Sequence, residues 1–129
     1  MPVTFSNPAT VHAPGSRYSH AALVEGPGRR LVMSGQVGIA PDGTVATGGQ
    51  DQIAQALANL AAILAAHGMG PGNVVKMVVF LTDRSLIPAW RQERDRFLGG
   101  THAPASTLLV VAGLADPRFV FEVEAEAVA

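Results

Sequence analysis

Two runs that are apolar at nearly every position constrain the fold more than any other feature of the chain. They are "NVVKMVVFLTD", which begins at Asn73, and "STLLVVAGL", which begins at Ser106. Runs this continuous are typical of strands buried on both faces. The chain has too few helices to cover both faces of a sheet, and charged residues make up only 15% of it. We therefore expect the uncovered face to be buried against other copies of the chain.

The order of the remaining segments predicts a two-layer domain. "SHAALVEG" and "RRLVMSGQVGI" flank the turn "EGPGR" and form a predicted hairpin. Apolar residues follow helical spacing in the segment from Asp51 to Gly68, which is the first predicted helix. "SLIPAWRQERDRFLGG" is a second predicted helix with Ser85 as its cap, and "RFVFEVEAEAV" is a final strand.

These elements give the order β-β-α-β-α-β-β, with a small extra strand around Val45. Residues 1–17 carry three prolines and are interpreted as an extended lead-in. The prediction is one α+β domain over residues 1–129, with a single mixed sheet and two helices on one face.

Charge and residue content exclude several classes of protein. Nine basic and ten acidic residues give a net charge of −1, which argues against a nucleic-acid partner. The absence of cysteine excludes disulfides and thiolate catalysis. The four histidines lack metal-ligand spacing, so no metal site is predicted. No apolar stretch would span a membrane and no signal-peptide core is visible, so we expect no membrane association and a cytoplasmic protein.

The final strand carries three alternating carboxylates, Glu122, Glu124 and Glu126, that share one face. Neighbouring carboxylates on such a face lie about 7 Å apart, where repulsion in water is well under ~1 kcal/mol. A solvated surface tolerates this spacing, whereas a buried pocket would hold at most one ionised member. By itself the pattern favours a solvated face over a working acid.

Other candidate residues lie where strands begin and end. Tyr18, the only tyrosine, and Arg17 precede the first long strand, and Gly35 ends a strand where backbone can approach a ligand closely. Ser106 and Thr107 open a strand, where hydroxyls and free N–H groups could hold a small anion. Taken alone, Tyr18 is explained equally well as an ordinary strand-edge residue, and a turn followed by a strand is the better explanation of Ser106 and Thr107.

Six segments together resemble the RidA family, also called YjgF or endoribonuclease L-PSP. From Gly15 onward, "YSHA", "SGQVG", "QDQIAQALANLAAIL", "NVVKMVVFLTD", "APAS" and "FEVEAEA" follow the family's order and spacing. The resemblance implies a chorismate-mutase-like fold and a homotrimer assembled through the sheets, with pockets between subunits. It also implies hydrolysis of small reactive enamines or imines to a 2-oxo acid and ammonia, with no cofactor and no metal.

Three positions match the family's pocket residues. Tyr18 matches its tyrosine, Gly35 the glycine whose backbone lines the pocket, and Glu122 the glutamate that positions or activates water. By this resemblance Glu122 is the acid expected to work, whereas Glu126 belongs to the solvated face. Glu124 also matches a family glutamate.

Four positions depart from the family's pattern. Ser106 stands where deaminases of the family carry the arginine that binds the substrate carboxylate, and a hydroxyl cannot replace a bidentate guanidinium contact. Leu108 stands where the family has a cysteine or threonine, Arg91 where it has an asparagine, and His20 where glutamine is common. Arg91 and Arg17 are therefore candidate replacement cations for substrate binding.

The sequence leaves three functional hypotheses. The first is a RidA-type hydrolase, an enamine or imine deaminase. The second is a non-catalytic trimer that binds a small molecule and has a regulatory role, which the loss of the arginine favours. The third, an endoribonuclease or translation inhibitor, is disfavoured because no basic stripe is visible.

Overall fold

One mixed six-stranded sheet forms the centre of the protein. The computed structural model describes residues 3–15 and 19–129. The strands are β1 (Val3–Ser6), β2 (Ala21–Glu25), β3 (Arg29–Gln36), β4 (Val74–Leu81), β5 (Ala105–Val110) and β6 (Phe121–Val128). Their order across the sheet is β1-β2-β3-β6-β4-β5. Only the β4–β5 pair is parallel, and the other neighbouring pairs are antiparallel.

Two helices, α1 (Gly49–Ala66) and α2 (Ile87–Leu98), cover one face of the sheet. The apolar side of α1 is fully buried through Ile53, Leu60 and Ile63. On α2 the Trp90 ring packs on Phe121 of β6, with ring centroids 5.5 Å apart. The predicted α+β arrangement is confirmed, with both helices on the same layer. Among the described residues, no helix is long and apolar enough to cross a membrane.

The alternation of β6 separates the two faces of the sheet. Phe121, Val123, Ala125 and Ala127 are buried beneath the helices. The three glutamates between them point to the opposite side, as predicted, and we call this side the open face. Glu122 lies opposite Phe80 of β4, and Phe80 in turn lies opposite Leu109 of β5. The open face therefore mixes carboxylates with large apolar side chains.

The edge strand β5 is exposed along its whole length. Leu108, Leu109 and Val110 keep 36%, 43% and 41% of their surface exposed. Three consecutive exposed aliphatic residues on a sheet edge are unusual for a soluble surface. Within one chain, the apolar run that the sequence predicted to be buried has no cover.

Three local predictions differ from the structure. The lead-in contains β1, which pairs with β2 through Val3 opposite Val24 and was missed because a four-residue edge strand leaves little periodicity. Ser85 does not cap α2. Instead, the carboxylate of Asp83 accepts the N–H of Ser85 in a short 3-10 turn, and α2 begins after that turn at Ile87. The expected strand around Val45 is a single bridge to Ile39.

Candidate active site

A cleft of about 770 Å³ opens where β3 ends and β6 begins, and we call it the Glu122 cleft. Its walls come from the segment before β2, the end of β3 with the following loop, and the turn before β6. The described residues that line it are His12, Ala13, Gly15, Ser34, Gly35, Val37, Ile39, Pro41, Asp42, Gly43, Ala115, Asp116, Arg118, Phe119 and Glu122. Two predicted site residues, Gly35 and Glu122, are thus brought together, while Arg17 and Tyr18 lie outside the described residues.

Gly35 lies directly beneath the Glu122 carboxylate. The pairing of β3 with β6 shifts register between Met33 and Gln36, and Gly35 lies within this irregular stretch. A Cβ on Gly35 would overlap Oε2 of Glu122 and also crowd its Cδ and Cγ. The missing side chain is therefore what allows the glutamate to lie across the β3 backbone.

The Glu122 carboxyl is held in an environment that disfavours its charge. The side chain is half-buried, and burial is the main cause that raises the pKa of Glu122. The negative charge of Glu124, on the same face of β6, raises the pKa further. A carboxyl with a raised pKa in a cleft is suited to exchange protons with a bound molecule.

A buried polar cluster lies behind the cleft wall. His20 Nε2 is 2.7 Å from the backbone oxygen of His12, so it donates there, and its Nδ1 accepts from Gln36 Nε2 at 3.0 Å. Burial is the largest effect on the pKa of His20 and lowers it. The hydrogen bond to the His12 carbonyl opposes this shift, and the charge of His12 adds a smaller lowering. His20 is therefore held as a neutral donor that fixes the His12 backbone at the cleft.

Ser106 occupies a different cavity, of about 510 Å³, on the helical side of the sheet. It lies opposite Met77 of β4, and Arg94 and His102 line the same cavity. Because Met77 and Phe80 alternate to opposite faces, Ser106 and Glu122 of one chain face away from each other.

Thr107 and Arg91 are also separate from Glu122 within one chain. Thr107 lies opposite Val78 of β4, and Val78 in turn lies opposite Glu124 of β6 on the open face. Arg91 is exposed on α2, in the helical layer, and does not line the Glu122 cleft.

The sequence reasoning missed Arg118, which lines the Glu122 cleft. Its guanidinium contacts Asp116 through two hydrogen bonds, from Nε at 3.0 Å and NH2 at 2.9 Å, and these bonds lower the pKa of Asp116 to about 2. The backbone N–H of Arg118 also donates to Asp116, at 2.8 Å. The available signal was "DPR", a turn sequence whose arginine lies four residues before Glu122.

The side chain of Gln52, buried on α1, holds this turn in place. Its Nε2 donates to the backbone oxygen of Arg118 at 2.8 Å, and its Oε1 accepts the N–H of Val120 at 3.0 Å. One amide therefore fixes the chain on both sides of Phe119, immediately before β6 begins.

Acidic and imidazole side chains do not converge into a metal centre in the described part of the chain. No group of three or more His, Asp or Glu side chains there could hold a metal ion. Among the described residues, the polar side chains that line the cleft supply three carboxyls, one guanidinium, one imidazole and one hydroxyl.

A protein-family model matches nearly the whole chain. The model described as Endoribonuclease L-PSP matches residues 10–129. The chain belongs to the endoribonuclease L-PSP family. The predicted resemblance to the RidA family, and with it the chorismate-mutase-like fold, is confirmed.

Individual family members resemble the chain to different extents. Human 2-iminobutanoate/2-iminopropanoate deaminase is 42% identical over 79 residues, but this alignment spans only 58% of the chain and 56% of the human protein. TdcF of Escherichia coli is 31% identical over 121 residues, which cover 92% of the chain and 93% of TdcF.

Solved structures of the family share the whole fold. RidA from an Antarctic Psychrobacter superposes with a TM-score of 0.86 at 28% identity, over 96% of this chain and 98% of that one. Escherichia coli TdcF with bound serine superposes with a TM-score of 0.85 at 25% identity, over 98% of both chains.

Proposed function

We propose that this protein hydrolyses a small imine or enamine to a carbonyl compound and ammonia. The observation that carries the proposal is the half-buried Glu122 carboxyl with its raised pKa, which lies against the Gly35 backbone in an open cleft. The human relative is named for deamination of 2-imino acids, and TdcF has been solved with serine, so a small amino-acid-like ligand is the partner we propose.

Glu122 acts as the base that activates water. Its carboxylate takes a proton from water while the water oxygen attacks the carbon of a C=N group that is already protonated on nitrogen, which gives a neutral carbinolamine. Glu122 then returns its proton to the amine nitrogen. The C–N bond breaks, C=O forms, and the hydroxyl proton leaves with the released ammonia as ammonium, so that Glu122 is again a carboxylate. An enamine must first gain a proton at carbon to become the imine. Tyr18, outside the described residues, is proposed to orient the substrate through its hydroxyl.

We further propose that the working assembly is a homotrimer. Ser106 and Glu122 of one chain face away from each other, so the two cavities can form one pocket only when different copies contribute them. The exposed aliphatic residues of β5 provide apolar surface for that contact. Arg17, Arg91, Ser106 and Thr107 remain proposed binding residues of this pocket.

A second candidate function is binding without turnover. Ser106 offers only a hydroxyl where family deaminases carry an arginine, which favours a ligand other than the usual imino acid. Nuclease activity, which the name of the family model suggests, is disfavoured by the net charge of −1.

The test is an assay in which 2-aminoacrylate is generated in situ and release of pyruvate and ammonia is followed. We expect slow turnover by the parent protein, weaker than that of an arginine-bearing deaminase because Ser106 replaces the arginine. Turnover should be lost in Glu122→Gln. Glu126→Gln is the control because Glu126 pairs with Arg30 at 2.8 Å on the open face. Light scattering should give three times the chain mass of 13.3 kDa. A trimer that binds serine or pyruvate but releases no ammonia from any imine would favour the binding function.

A further inference from the structure

We propose that Arg118 binds the carboxylate of an acidic substrate in the Glu122 cleft. This inference rests on the imine hydrolysis proposed above. Arg118 is the only arginine or lysine among the described residues that line the cleft. A carboxylate substrate needs a cationic partner there because Asp42, Asp116 and Glu122 would otherwise repel it.

The guanidinium of Arg118 keeps one edge free of hydrogen bonds to the described residues. Asp116 occupies the edge formed by Nε and NH2. The second terminal nitrogen, NH1, makes no hydrogen bond to the described residues, and NH2 carries one further N–H. The edge formed by NH1 and NH2 can therefore accept a second carboxylate in the same bidentate geometry.

The position of Arg118 is fixed before a ligand arrives. The Asp116 pair holds the side chain, and Gln52 holds the backbone oxygen of Arg118 at 2.8 Å. A preorganised guanidinium loses little conformational freedom when it binds, which favours ligand affinity. Asp116 is therefore a positioning residue, although its charge also weakens the attraction for an anionic ligand.

Other arginines are less suited to this role. Arg94 lines the Ser106 cavity but pairs with Asp95 at 2.9 Å, on the helical face of the sheet. Arg30 pairs with Glu126 at 2.8 Å on the open face, outside the Glu122 cleft. Arg118 alone of these three shares a cavity with Glu122 in the same chain.

The test compares Arg118→Ala with the parent on two imines, 2-iminopropanoate generated in situ and a cyclic aliphatic imine without a carboxylate. We expect KM for 2-iminopropanoate to rise about five- to tenfold with little change in kcat, since one exposed charge-assisted contact is lost. KM for the cyclic imine should not change. Arg118→Lys keeps the charge but not the fork, and should give an intermediate KM.

Pyruvate binding, measured by calorimetry on the full-length assembly, gives a readout that needs no turnover. Its Kd should rise in Arg118→Ala by the same factor as KM. Arg96→Ala is the matched control, because Arg96 is also an exposed, ion-paired arginine but lies on α2 beside Glu93. Arg118→Gln provides a second variant if the alanine variant unfolds early.

The outcomes separate this inference from the proposed function. Suppose that the parent is active and that Arg118→Ala and Arg118→Gln have the same KM and the same pyruvate affinity as the parent. This result overturns the inference but leaves imine hydrolysis intact. A parent that hydrolyses neither imine defeats the proposed function. In that case, pyruvate binding that Arg118→Ala weakens would still support the carboxylate site, and no pyruvate binding at all would overturn it.

Discussion

Gly35 of β3 and Glu122 of β6 are in direct contact, and the space that a Cβ on Gly35 would occupy is filled by the glutamate carboxylate. This contact joins the irregular end of one strand to the acid on its neighbour. The position of the acid is therefore set by the absence of a side chain, a constraint that a residue-by-residue inspection of the sequence does not reveal.

Substitution Gly35→Ala should displace the Glu122 carboxylate. The methyl group and Oε2 cannot occupy the same space, so either the carboxylate rotates away or the strands separate. We expect kcat/KM for imine hydrolysis to fall about 100-fold, because small misplacements of a catalytic group are costly. Steady-state kinetics with 2-iminopropanoate checks this.

The matched control is Gly72→Ala, where an added Cβ meets no atom within 4 Å. It should leave both kcat/KM and the melting temperature close to those of the parent. Full activity in Gly35→Ala would mean that Glu122 does not act from the position seen here.

Substitution Glu124→Gln should move the acidic limb of the activity profile to lower pH. Glu122 must be ionised to act as a base, so activity falls as pH drops through its pKa. The Glu124 charge is the second cause that raises the pKa of Glu122, after burial, and its removal should lower that pKa. The measurement is kcat/KM against pH for parent and variant, and an unmoved limb would contradict the assignment of Glu122 as the base.

The raised pKa of Glu122 also has a consequence for stability, with a defined sign. The protonated Glu122 carboxyl contributes to the free energy of unfolding. This contribution is fully present below the pKa of Glu122 in the unfolded chain and is lost as pH rises through its pKa in the folded protein. Glu122→Gln should therefore gain stability relative to the parent as pH rises towards neutrality. Urea unfolding at several pH values tests this, and a constant difference between the two proteins would count against it.

The buried histidine should make the fold sensitive to mild acid. Because the folded-state pKa of His20 is lowered, its contribution to stability is present above the unfolded pKa, near 6.5, and is lost as pH falls through the folded pKa. A single proton limits this loss to about 1.4 kcal/mol per pH unit. Urea unfolding of His20→Gln from about one pH unit above an ordinary histidine pKa to about one and a half units below it should show a shallower decline in stability than the parent.

His102→Gln is the control for that experiment. His102 donates through Nε2 to the backbone oxygen of Val74 and remains half-buried at the sheet edge. If the parent and His20→Gln lose stability equally on acidification, the buried His20 is not the group that takes up the proton.

Substitution Gln52→Ala should weaken both the fold and the site. It removes hydrogen bonds to the backbone groups of Ala46, Arg118 and Val120, and we expect a loss of about 2–4 kcal/mol in the free energy of unfolding. It should also lower kcat/KM, because the turn that leads to Glu122 loses its support. Gln55→Ala, on the same helix, removes only a side-chain contact to Asn59 and should cost less than about 1 kcal/mol.

The sequence predicted the layers of this fold well because periodicity is a local signal. Alternation along β6 placed Glu122 on the face opposite Phe121 and Val123, and the structure agrees. Strand β1 was missed because a short, exposed edge strand has no buried face to impose a pattern.

The site was harder to predict because its contacts join residues far apart in the chain. The contact of Gly35 with Glu122 depends on a register shift, and the support of Arg118 by Gln52 spans 66 positions. Neither leaves a local pattern. That Ser106 faces away from Glu122 follows only from the pairing of β4 with β5 and β6.

Substitution Ser106→Arg should raise activity on carboxylate-bearing imines in the assembled protein. Ser106 lies in a cavity of about 510 Å³ on the exposed strand β5, so a long side chain has room to reach towards a neighbouring copy. If that copy contributes its Glu122 cleft, the new guanidinium supplies a second forked donor, and KM for 2-iminopropanoate should fall.

Asp95 lines the same cavity and competes for the guanidinium, so Ser106→Arg should be compared with Ser106→Arg/Asp95→Asn and with Ser106→Lys as a charge-only control. The sharpest comparison is the Arg118→Ala background, where Ser106→Arg should recover part of the lost affinity. A folded trimer that gains nothing in either background would show that Ser106 does not face the pocket that contains Glu122.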